Sequence, residues 1–67
     1  MNSQFRGGVV RIKQAAHHLG MGESTVWRKV KTDPDFPKPI KLSERVTAWR
    51  LADLDAYIER RATAAQV

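Results

Sequence analysis

Ser24, Thr25, Arg28 and Lys31 are spaced to share one face of a helix, while Val26 and Val30, one turn apart, mark the opposite stripe. That face would carry two hydroxyls, a guanidinium and an ammonium. Hydroxyls in a first turn lie beside free backbone N–H groups at the positive end of the helix, where they can meet a phosphate or a base edge. The guanidinium fork of Arg28 matches guanine O6 and N7, which makes it the leading candidate for reading a base. Lys29 and Lys31 suit phosphate. A second cationic set follows, with Lys38, Lys41 and Arg45 interleaved with apolar residues around a Ser43-Glu44-Arg45 tip. An arginine at such a tip can enter a narrow minor groove, where negative potential is enhanced. Ser43 lies beside it, and Glu44 opposes phosphate. Lys13 is a further candidate for backbone contact, together with Lys29.

Each set also has a plainer reading. The helix could be an ordinary solvated surface with Ser24 as its cap. The hairpin could carry edge charges that prevent aggregation. The turn before the helix and the basic hairpin after it favour binding. Trp27 admits two roles, partial core or a contact along the sugar-phosphate backbone through its indole N–H. Trp49 and Phe36 read as core.

Other chemistries find little support. His17 and His18 are adjacent, so on a helix they point about 100° apart and cannot chelate one ion together. The sequence shows no third ligand at suitable spacing, no Ser-His-Asp candidate set, no phosphate-cradling glycine motif and no carboxylate pair in a plausible cleft. The expectation is a protein that is not an enzyme and takes no metal or cofactor.

The elements that must position these residues can be read along the chain. Gly7-Gly8 closes an aperiodic stretch expected to be a flexible arm over residues 1–8, and Val9-Val10-Arg11-Ile12 begins β-like. Ile12, Ala15, Ala16 and Leu19 line one helical face, and Gly20 stops that helix, expected over about Lys13 to Leu19. Met21 would plug the angle between two helices. Pro34 ends the second helix near Lys31 to Asp33, because it disfavours α geometry just before it. Pro34, Pro37 and Pro39 then enforce an extended connection into a two-stranded hairpin, Ile40-Lys41-Leu42 pairing with 46–50. Leu51, Leu54 and Ile58 give a third amphipathic helix with Tyr57 beside the stripe, Trp49 sealing the hairpin onto it near Leu54 and Ile58. Asp53 and Asp55 sit in the first turn of that helix, where its dipole favours them.

Composition sets the bounds. A chain of 67 residues has room for one domain, and at this size only about 60% of the unfolded surface is buried. There are no cysteines, so no disulfide or thiolate metal site supports it. No apolar signal-like run follows Met1 and no stretch has the length of a membrane span, so a cytoplasmic protein is expected. The formal net charge is +5, with seven basic against four acidic residues between positions 23 and 50. A polyanion would therefore meet the N-terminal two-thirds, although a basic balance also serves plain solubility.

Ser24-Thr25-Val26-Trp27-Arg28, Phe36-Pro37-Lys38-Pro39-Ile40-Lys41-Leu42, Ala48-Trp49-Arg50 and Asp53-Leu54-Asp55-Ala56-Tyr57-Ile58, in that order, resemble the AlpA family of prophage-type regulators. That family is related to the excisionase and MerR-like winged helices. The resemblance spans roughly Val10 to Arg61, and the Phe-Pro-x-Pro-Ile-x-Leu step is its most specific part. It implies a small DNA-binding regulator of transcription, often of a phage or island integrase gene, which sometimes assists excision. It carries recognition-helix roles to Ser24, Thr25, Trp27 and Arg28 and a wing role to 41–45. The chain departs from the family pattern at Lys29, where an apolar residue is common, at Trp27, where tyrosine is common, and at a wing tip without glycine.

The expected fold is mainly α with a small β-hairpin, a winged helix-turn-helix of three helices plus a two-stranded wing over residues 9–61, with a frayed tail over 62–67. The expected partners are double-stranded DNA, a second copy as a dimer or in tandem on DNA, and an integrase, with no membrane. Two further readings stay open. One is an excisionase-like recombination directionality factor that bends attachment-site DNA. The other is a protein-interaction module such as an antitoxin, whose basic face meets an acidic partner.

Overall fold

The computed structural model describes residues 8–65, so most of the expected N-terminal arm and the last two residues of the expected tail lie outside the described residues. The order of elements is β1 (Val9–Val10), α1 (Ile12–Leu19), α2 (Glu23–Thr32), β2 (Ile40–Ser43), β3 (Val46–Arg50) and α3 (Leu51–Ala65). This is a mainly helical fold with a small β wing, as expected of a winged helix-turn-helix.

The turn between α1 and α2 follows from two residues. Gly20 adopts φ 71°, the left-handed region that a residue without Cβ enters at little cost. Its N–H reaches the His17 carbonyl at 3.1 Å and the Met21 N–H reaches the Ala16 carbonyl at 3.0 Å. These two bonds form a Schellman closure, which satisfies carbonyls that the helix end leaves open. Met21 follows the turn and packs against the core, bracing the angle between the helices. The α2 helix ends at Thr32, with Asp33 in extended geometry ahead of Pro34.

The wing is anchored more broadly than a two-stranded hairpin. β1 pairs antiparallel with β3, Val9 opposite Arg50 and Val10 opposite Trp49, so the sheet has three strands in the order β1-β3-β2. The short β-like start thus covers only Val9–Val10, and Ile12 already belongs to α1. The Leu51 N–H also reaches the Gly8 carbonyl at 3.0 Å. In the hairpin itself Ile40 pairs with Ala48 and Lys41 with Thr47, after which the register shifts so that Ser43 faces Val46.

The core gathers Ala15, Ala16, Val26, Phe36, Trp49, Leu54 and Tyr57, flanked by Val10, Ile12, Leu19, Met21, Val30 and Leu51. On α3 the expected stripe is corrected by one position. Tyr57 is buried and Ile58 is 37% exposed. Phe36 approaches edge-on at 4.9 Å between ring centroids, and the Tyr57 hydroxyl finds Asp33, so the aromatic ring fills the site and its polar end stays bonded. The helix also runs further than expected. Residues 62–65, expected to fray, continue α3, since three of the four are alanines, the strongest helix formers.

Candidate nucleic-acid interface

Two elements carry the cationic residues singled out in the sequence. On α2, Ser24, Arg28 and Lys31 are exposed and Thr25 is half-buried, while Val26 on the opposite side is fully buried. Gly22, not Ser24, occupies the N-cap position, so Ser24 and Thr25 are the second and third helical residues. Their backbone N–H groups belong to the first turn, whose donors have no partner inside the helix. On the wing, Lys41, Ser43 and Arg45 are all exposed, as is Lys38 on the approach to it. Among the described residues, Arg28, Lys31, Lys38, Lys41 and Arg45 enter no ion pair, so their charges are free for an outside partner.

Lys13 and Lys29 are placed apart from these faces. Lys13 is exposed on α1. Lys29 is half-buried on the flank of α2 that faces α3, where it lines a groove with Leu19, Met21, Tyr57, Ile58 and Arg61. It does not share the outward face of Arg28.

The two cationic elements are held together by an aromatic contact that sequence reasoning did not find. Trp27 is 39% exposed, and its ring lies 5.3 Å from that of Trp49 at an interplanar angle of 56°. Trp49 is fully buried and its indole N–H donates to the Pro37 carbonyl at 3.2 Å. A chain of contacts therefore runs from α2 through β3 to the proline step that leads into the wing. Trp27 packs against Trp49 with part of its ring and leaves the rest exposed. Trp49 seals the hairpin, and its partner ring comes from α2.

The far end of α2 is fixed through Asp33. One carboxylate oxygen accepts the Asp35 N–H at 3.0 Å and the other accepts the Tyr57 hydroxyl at 3.1 Å. The Asp35 N–H holds the Asp33 carboxyl below the usual carboxylate value. Partial desolvation opposes this, while the Tyr57 hydroxyl and the charges of Lys29 and Arg61 reinforce it. Tyr57 is shifted upward, by burial first and then by the Asp33 carboxylate beside it, so the phenol stays neutral in the physiological range. Arg60 adds a bond of 2.8 Å to the Asp35 carbonyl. These contacts fix the direction in which α2 leaves the core.

The histidines do different work from each other. His18 Nε2 lies 2.7 Å from an Asp55 carboxylate oxygen and joins α1 to α3, while His17 is exposed. Among the described residues there is no group of three or more His, Cys, Asp or Glu that could hold a metal ion, and no helix long and apolar enough to cross a membrane.

A family model described as prophage CP4-57 regulatory protein (AlpA) matches residues 8–62. The chain belongs to the AlpA family. No curated protein and no solved structure matches it. The AlpA match runs from the residue before β1 into the last turns of α3, so it takes in the helix pair, the proline step and the whole wing. It places the chain in a family of prophage regulatory proteins.

Proposed function

We propose that this AlpA-family protein is a sequence-specific DNA-binding regulator of transcription for a prophage or integrative element. The outward face of α2 enters the major groove, where Arg28 reads a base edge and Ser24, Thr25 and Lys31 meet base edges or phosphate. The wing grips the adjacent minor groove and its backbone through Lys41 and Arg45, with Lys38 and Ser43 beside them. The observation that carries this reading is the Trp27–Trp49 contact, which couples two unpaired cationic surfaces into one body.

Electrophoretic titration of genomic fragments at several salt concentrations tests the reading. Phosphate contacts release condensed counterions, so affinity should fall steeply and linearly on a log–log plot against salt. One or a few fragments should also be retained over bulk DNA. Binding without selectivity and without salt dependence would sink the proposal.

A further inference from the structure

Leu42 is 49% exposed, more than Val9, Trp27 or Ile58. A lone surface leucine would need no explanation. This one sits at a break in the strand register of the wing. Lys41 pairs with Thr47 and Ser43 with Val46, so Leu42 is the extra residue of a bulge in which two residues of β2 oppose one of β3. Bulges re-aim side chains, and Leu42 stands outside the core cluster.

What surrounds Leu42 narrows its partner. Lys41 precedes it and Arg45 follows across the tip, both exposed and, among the described residues, neither in an ion pair. Glu44 is the one carboxylate at the tip and is exposed as well. Two cations flanking an apolar side chain fit a surface with anionic edges and apolar base faces that open between them. The minor groove has that character, with phosphates along its edges and stacked bases between them.

Resting on the DNA-binding reading above, we infer that Leu42 is an apolar wedge that the wing presses into a minor-groove base step, unstacking and bending the DNA. Proteins that use leucine in this way kink the duplex by about 20–90°. Pyrimidine–purine steps yield most easily, so a TA or CA/TG step under the wing is the expected target. The bend would then add sequence preference at base pairs that no side chain of α2 touches.

The test uses the full chain and a duplex fragment recovered by selection from genomic DNA. Bending is read by circular permutation, and unstacking by 2-aminopurine placed at the pyrimidine–purine steps. The intact chain should bend the fragment and brighten one such step. Leu42→Ala should abolish the brightening and most of the bend with the salt dependence unchanged, and Leu42→Met should retain both. Melting curves should coincide for all three, because Leu42 lies outside the core. Binding without a bright step, an unaltered bend in Leu42→Ala, or a melting loss typical of a core truncation would each overturn the inference. If no selective complex forms at all, the DNA-binding reading fails first, and the gel shows which has happened.

Discussion

The α2 helix and the wing present similar charges but are held in different ways. One side of α2 is locked, with Val26 fully buried, Trp27 packed at a tilt against Trp49, and Asp33 tying its far end to Tyr57 of α3. Residues 41–45 of the wing are all exposed, and they are held by strand pairing to β3, which is itself anchored by Ala48 and Trp49. A side chain that must discriminate bases needs fixed bond geometry, since hydrogen bonds weaken steeply with misalignment. A side chain that grips phosphate needs only nearness, because a point charge attracts from many angles. The packed element suits reading and the exposed one suits holding.

The comparison can be broken most severely at Trp49, which both regions share. Trp49→Ala should cost about 3–5 kcal/mol, a large part of the roughly 3–10 kcal/mol expected of a chain this size. Loss of a cooperative thermal transition, followed by circular dichroism, is the expected outcome. A variant that still melts sharply near the parent temperature would show that the two regions do not depend on that ring.

Arg28→Ala and Lys41→Ala separate the regions without unfolding either. Arg28→Ala should lose about 1–3 kcal/mol on the preferred sequence and relax discrimination there, measured by competition against single-base variants of the site. Lys41→Ala should weaken all sequences alike and lower the salt slope by about one. Uniform losses for Arg28→Ala would move that residue from the reading role to the gripping one.

The smallest effect concerns the clamp at the end of α2. Asp33 titrates below the ordinary carboxylate value of 3.8 in the folded chain, so its ionised form stabilises the fold at higher pH. That contribution should vanish as acidification carries the group through its lowered value. Melting temperature should therefore fall on acidification below 3.8, and Asp33→Asn should flatten that part of the curve. An identical acid profile in the variant would mean that other carboxylates set the acid limit.

Residue types and their local spacing determined much of this protein before any tertiary contact was known. Gly20 stops α1 because only a residue without Cβ enters that backbone region cheaply. Pro34 closes α2, and the apolar spacing of Ile12, Ala15, Ala16 and Leu19 marks the inner face of α1. The family pattern and the placement of Ser24, Arg28 and Lys31 on one exposed face follow from the same local rules. Tertiary structure alone decided the rest. Whether Tyr57 or Ile58 turns inward depends on where Phe36 and Asp33 come to lie, and helical spacing cannot supply that. The tilted contact between Trp27 and Trp49 joins residues from separate elements, so no local pattern announces it. The register shift at Leu42 lies between two strands, so no pattern within one strand announces it. Local geometry is written into neighbouring residues, whereas contacts between elements depend on which surfaces the whole chain brings together.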